Sequence, residues 1–201
     1  MDLSSSPTLE FAQTRLEQLA PSHVNDLAAV VAEEGMQELW FTSIPAPTAV
    51  GSEIERRLEL QAQGLMAPYA IIDARSGRAV GATTLMNIDA VNRRVEIGST
   101  FLAPSAQGTG INPAAKFMLL SRAFEDLKCI AVEFRTHWHN QASRAAISRL
   151  GAKQDGVLRS HMYDPATQSL RDTVVFSILP HEWPAVRANL LARLRRHGLI
   201  D

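Results

Sequence analysis

The chain has 201 residues, 46% hydrophobic and 20% charged, with a formal net charge of -1. That length suits one domain with a sizeable core, and the balanced charge gives no electrostatic case for a nucleic-acid or membrane partner. The single cysteine, Cys129, excludes an intrachain disulfide framework and fits a reducing cytosol. No apolar run reaches membrane-spanning length, and the N-terminus lacks the basic and apolar regions of a secretion signal. The expectation is a cytoplasmic protein with a short flexible tail over residues 1–10 and a single domain over 11–201.

In chain order, Phe11–Leu19 alternates weakly and reads as a first strand. Ser22 caps a helix whose apolar face is Val24, Leu27, Ala28 and Val31. A Pro- and Ser-rich loop follows, and Thr48 or Ser52 opens a second helix that ends at Gly64. Ala67–Asp73 is a strand, Arg75–Arg78 a hairpin turn, and Ala79–Met86 the returning strand. After a turn at Asp89–Asn92, Arg93–Leu102 forms a longer strand. Its interior Gly98 marks a bulge or a close backbone approach.

The next segment reads LAPSAQGTGINPAAK. Asn112 suits an N-cap and Pro113 the first helical position, where a missing N–H costs nothing. Ala114, Phe117, Leu120, Phe124 and Leu127 form one apolar stripe, with Lys116, Arg122, Glu125 and Asp126 largely off it. Ile130–Trp138 is a strand and Asn140–Leu150 a helix stopped by Gly151. Val157–Tyr163 and Thr173–Leu179 are two more strands. His181–His197 is a terminal helix, basic in its last turn as the macrodipole favours. The order implies an α/β (mixed α+β) fold of about seven strands with helices on both faces. Arg93–Trp138 would be a parallel right-handed crossover.

Gln107-Gly108-Thr109-Gly110-Ile111-Asn112 is a glycine-rich turn that feeds a helix. The N–H groups at a helix start are unpaired, and glycine lets a ligand approach the backbone closely. Such a turn suits a pyrophosphate held by main-chain donors. The lysine and Ser/Thr of a P-loop are absent, as is the glycine spacing of a dinucleotide fingerprint.

This strand, Q-x-x-G-x turn and helix resemble the acetyl-CoA signature of the GNAT N-acetyltransferases. EIGSTFLAPSAQGTGINPAAK, THWHNQASRAAISRLGA and GVLRSHMYDPATQSLRDTVVFSIL, in that order, are similar to the RimJ/RimL-like branch, which acetylates ribosomal proteins. The resemblance implies an acetyl-CoA donor, no metal, and direct attack by a primary amine in a ternary complex. It places the backbone of Gln107, Gly108, Thr109, Gly110, Ile111 and Asn112 around the pyrophosphate. It also sets the main chain of Leu102 along the pantetheine arm and Asn140 against the cofactor. The motif departs from the family at Asn112, where glycine or alanine is usual.

Acetyl transfer needs a deprotonated amine, a donor to the oxyanion and a proton for the departing thiolate. By the resemblance, Ser143 is the candidate general acid and Glu96 the candidate base. The branch's hairpin glutamate falls on Met162, which takes no proton. His161 beside it would face the opposite side of a regular strand. An α-amine, with a pKa of about 8, needs less help from a base than a lysine near 10.4. The acceptor is therefore either a protein N-terminal α-amine or a small-molecule amine. Two other readings remain: a catalytically weak acetyl-CoA/CoA sensor with the same fold, and a nucleotide-phosphate binder.

His137 and His139 invite a zinc reading but lack a third ligand with the right spacing. Cys129 reads as a small buried apolar residue. Arg56 and Arg57 read either as a solvated face or as recognition of an acidic acceptor. A homodimer could form through a sheet edge or through Trp183, Leu190, Leu191 and Leu194 of the terminal helix. Acceptor specificity is expected from the loop Phe41–Val50, the second helix and the closing hairpin.

Overall fold

The computed structural model describes residues 2–165 and 167–201. One sheet carries eight strands: β1 (Leu9–Phe11), β2 (Thr14–Gln18), β3 (Met66–Asp73), β4 (Arg78–Asp89), β5 (Arg94–Leu102), β6 (Ala131–His137), β7 (Lys153–Asp164) and β8 (Ser169–Ile178). Their spatial order is β1-β2-β3-β4-β5-β6-β8-β7. The helices are α1 (Val24–Val31), α2 (Val50–Ala62), α3 (Ile111–Ser121), α4 (Gln141–Leu150) and α5 (Trp183–Arg196). There are eight strands rather than about seven because the first expected strand is a hairpin. Ala12 takes a left-handed φ of 55°, and Phe11 pairs with Thr14.

Alternation along β3 divides the core. Tyr69 and Ile71 join α3, α4 and α5 on one face of the sheet. Ala70 and Ile72 join α1 and α2 on the other. The apolar stripe is buried as expected: Ala114, Phe117 and Leu120 on α3, Phe124 on the π-helical turn Arg122–Asp126 that extends it, and Leu127 at the end of that turn are all in the core.

Two off-stripe residues are buried as well. Lys116 is 7% exposed and Arg122 8%. The Arg122 Nη2 donates to the carbonyl and hydroxyl of Ser5, at 2.9 and 2.8 Å. The same contact corrects the expected N-terminal tail: Leu3 is 4% exposed and residues 9–11 form β1. An arginine on a helix flank has no periodic signature for the remote carbonyl it binds.

The terminal helix also differs from the expectation of a pairing surface. Trp183, Leu190 and Leu194 are buried in the chain's own core, and Trp183 lies against Phe117 and Phe124. α3 begins at Ile111, capped by Gly110 at φ 91°, not by Asn112. Glycine enters the left-handed region without the Cβ penalty, so the helix starts earlier.

The site is made by a divergence of strands. β5 and β6 run parallel and pair only at Arg94–Ala131, Val95–Val132 and Glu96–Glu133. Beyond Glu96, β5 stays with β4, while β6 stays with β8. Between Gly98 and Phe101, β5 also carries one residue more than its partner β4, and Ser99 has φ 46°. This is the bulge that Gly98 forecast. A Cβ at Gly98 would stand 2.7 Å from Met86 Sδ and 2.9 Å from Glu96 Oε1, so the close approach is real too.

Candidate active site

The stretch Ile97–Leu102 has no strand partner on the β6 side, so its main-chain groups face an open wedge. The wedge leads to the turn. The Gln107 Nε2 donates to the Leu102 carbonyl at 3.3 Å, and the Thr109 hydroxyl donates to the Ala106 carbonyl at 2.7 Å. Both side chains thus hold the loop itself. The amides of Gly108, Thr109, Gly110, Ile111 and Asn112 have no hydrogen-bond partner among the described residues. They form a row of donors at the positive end of α3.

The turn is braced from behind. A Cβ on Gly110 would lie 2.4 Å from Leu199 Cδ1 and 3.3 Å from His197 Cβ. The left-handed φ of 91° favours glycine here, and a Cβ would also have to displace the Leu199 side chain. The Asn112 Oδ1 is buried without a partner.

Across the wedge, Asn140 caps α4, with its Oδ1 accepting the Ser143 amide at 2.9 Å. The Asn140 Nδ2 has no acceptor among the described residues. The Ser143 hydroxyl makes no hydrogen bond among the described residues and is half-buried. Asn140, Ser143 and the turn thus lie around the wedge on the α3–α5 side of the sheet.

Glu96 faces the other side, under α1 and α2. It is 5% exposed, accepts from the Asn87 Nδ2 at 2.8 Å and lies 3.4 Å from the Arg135 Nε. The Arg135 contact is an ion pair without hydrogen-bond alignment. Burial pushes the Glu96 carboxyl above the ordinary range, against the pull of Asn87 and Arg135. Glu133 pairs with both Arg94 and Arg135. These side chains line a cavity of about 160 Å³ together with Asn87 and Asp89. Glu96 and Ser143 thus lie on opposite faces of the sheet.

Further along this face, His137 packs against Trp40 and Phe41, ring centroids 5.1 and 6.4 Å away. Its Nδ1 accepts the His139 amide at 3.0 Å, which leaves the proton on Nε2. Burial lowers the His137 pKa. The two imidazole centroids are 5.5 Å apart. No three His, Cys, Asp or Glu side chains among the described residues are grouped to hold a metal ion. Cys129 is 2% exposed, and burial pushes its thiol up to about 11, so it stays a protonated core residue.

Two positions differ from the sequence reading. Arg57 is not on a solvated face: it is 3% exposed. Its guanidinium binds Glu53 at 2.7 Å, Thr84 at 3.2 Å and the Ser99 carbonyl at 3.3 Å. It thereby clamps the bulge. Arg56 remains outside, paired with Glu53. His161 sits where β7 gains residues between Leu158 and Met162, with Ser160 at φ 49°. Strand alternation fails there, and the His161 Nδ1 lies 3.1 Å from the Thr173 hydroxyl. Met162 is 51% exposed.

Lys116 escaped notice because its helix position is flanking. Its Nζ meets Thr100 at 3.0 Å and Thr83 at 3.4 Å. No carboxylate accompanies it, and burial lowers its pKa to about 7.

The sequence pattern of the acetyltransferase (GNAT) domain matches residues 13–153. The chain belongs to the GNAT acetyltransferase family. A GCN5-related N-acetyltransferase structure from Brucella melitensis is 30% identical, covering 92% of this chain and 84% of that one at a TM-score of 0.81. A Bacillus subtilis protein, provisionally named ribosomal N-acetyltransferase YdaF, is 36% identical over 107 residues. That alignment spans 53% of this chain and 57% of the relative's length. Mycobacterium smegmatis RimJ, solved with CoA-disulfide, shares the fold at 21% identity and a TM-score of 0.76, covering 96% of this chain and 94% of that one. Among the described residues no helix is long and apolar enough to cross a membrane.

Proposed function

We propose that the protein moves an acetyl group from acetyl-CoA to a primary amine by direct attack in a ternary complex. The observation that carries this is the row of unpartnered amides at 108–112, standing at the end of the wedge between β5 and β6. Main-chain donors at a helix start take the pyrophosphate. The open edge of β5 at Leu102 takes the amide-bearing pantetheine arm as an added strand. The Asn140 Nδ2 holds the arm from α4.

The thioester then lies between the two faces. The neutral amine enters from the α1–α2 side and attacks the carbonyl carbon. Glu96 accepts the amine's proton, directly or through water, and its raised pKa makes it the stronger base. The tetrahedral oxyanion collapses, the C–S bond breaks, and Ser143 passes a proton to the departing thiolate while taking one from solvent water. The acceptor is a protein N-terminal α-amine or a small-molecule amine. The name of the Bacillus subtilis relative, a ribosomal N-acetyltransferase, favours a protein acceptor. The location that fits this chemistry is the cytoplasm.

The test is release of CoA thiol from acetyl-CoA over a panel of N-terminal peptides, lysine peptides, polyamines, aminoglycosides and amino acids. Turnover on one class is expected, and Ser143→Ala should lower it about 10²-fold at unchanged acetyl-CoA affinity. Acetyl-CoA binding without turnover on any amine would favour the sensor reading, for which the exposed Met162 at the family's base position speaks.

A further inference from the structure

Three arginines gather where α4 ends against α5. Arg149, Arg193 and Arg196 form no ion pair with a carboxylate among the described residues, unlike Arg56, Arg57, Arg159 and Arg187. The Arg193 Nη1 is buried and has no hydrogen-bond partner. The Arg196 Nε has only a 3.4 Å contact to the Ala192 carbonyl of its own helix. Burial, and then the charges of Arg149 and Arg196, lower the Arg193 pKa. A buried guanidinium N–H without an acceptor, between two like charges, is costly unless an anion completes it.

The position of the cluster says which anion. Asn189, Arg193 and His197 are spaced four residues apart and share one face of α5. At the lower end of this stripe, the Asn189 Nδ2 donates to the carbonyls of Arg149 and Leu150 at 2.8 and 3.4 Å. At the upper end, His197 abuts Gly110 of the glycine turn. Arg193 is therefore about one helical turn, roughly 6 Å along the axis, from His197, which abuts the glycine turn. A ligand whose diphosphate sits on that turn can bring a second phosphate to the arginines.

We propose that Arg149, Arg193 and Arg196 form a phosphate site that takes the 3′-phosphate of the acyl donor. The inference rests on acetyl-CoA being that donor. Three guanidinium groups suit a phosphomonoester dianion, with Arg193 supplying the buried N–H and the two exposed arginines closing from the rim.

The experiment is calorimetric titration of the full chain with CoA and with 3′-dephospho-CoA. The wild type should bind CoA at least about tenfold more tightly, and Arg193→Gln with Arg196→Gln should erase that preference while affinity for 3′-dephospho-CoA stays the same. Arg149→Gln, at an exposed position, should narrow the preference without touching the α5 packing. Equal wild-type affinity for the two ligands would overturn the assignment, as would equal weakening of both in the variants. Thermal stabilisation by inorganic phosphate with no preference between the CoA forms would mark a free-anion site and also overturn it. A wild type that binds neither form of CoA would overturn the donor reading itself, and this inference with it.

Discussion

The two sides of the wedge are built from different materials. The α3–α5 side is mostly backbone: unpaired amides at 108–112, the free edge of β5 and a capped helix start. The α1–α2 side is mostly side chains: Glu96, Arg135 and Glu133 in an ion-paired row, then His137 under Trp40 and Phe41. Backbone donors recognise what every acyl-CoA has in common. Side chains recognise what distinguishes one acceptor from another. A short motif can therefore announce the donor half, while the acceptor half depends on elements far apart in sequence.

Substitution on each side should break a different half. The largest effect is expected from Gly110→Glu, which places a carboxylate at the anion site and forces a side chain into Leu199. Acetyl-CoA binding should be lost, by more than about 10²-fold in Kd. Unchanged affinity in a folded variant would remove the turn from the site.

Glu96→Gln acts on the opposite side. It should lower kcat/KM by about 10²-fold and leave acetyl-CoA affinity unchanged. In the wild type, the acidic limb of the kcat/KM profile should lie above the ordinary carboxylate range, because burial raises the Glu96 pKa. An unshifted acidic limb in the Glu96→Gln variant would show that another group takes the proton.

The smallest effect on catalysis, but a measurable one on stability, is expected at Lys116, beneath the boundary between the halves. Its pKa falls from 10.5 to about 7 on folding. The stability associated with the neutral amine is full above the unfolded value. It is lost as pH falls through that window, by about 1.4 kcal/mol per pH unit. Lys116→Met should therefore be more stable than the wild type near pH 7, with the advantage shrinking toward pH 10. The Thr83–Thr100 hydrogen bond, 2.8 Å long, would remain. Denaturant midpoints across that range would measure it, and a pH-independent difference would show that Lys116 is charged in the fold.

Much of the architecture was legible. The Gly151 stop and the apolar stripe of Ala114, Phe117, Leu120, Phe124 and Leu127 appear where capping and periodicity place them. Gly98 announced its bulge because an interior glycine in a strand has few other uses. The cap was misread by two residues, since Asn112 and Gly110 both suit a helix start and only φ decides between them. Periodicity sets Lys116 and Arg122 off the apolar stripe and leaves Arg57 open between a solvated face and acceptor recognition, because charge on a helix flank ordinarily meets water. Each instead reaches a hydroxyl or carbonyl on a distant strand or segment, a contact that no local pattern encodes.

The sequence by itself determined the order of elements, the family and the glycine-rich turn that opens α3. These are written in short-range features: periodicity, glycine positions and the spacing of a motif. Only the tertiary structure decided where β5 leaves β6, which face Glu96 and His161 address, and which charges are buried. Those outcomes depend on strand register, bulges and packing between residues tens of positions apart.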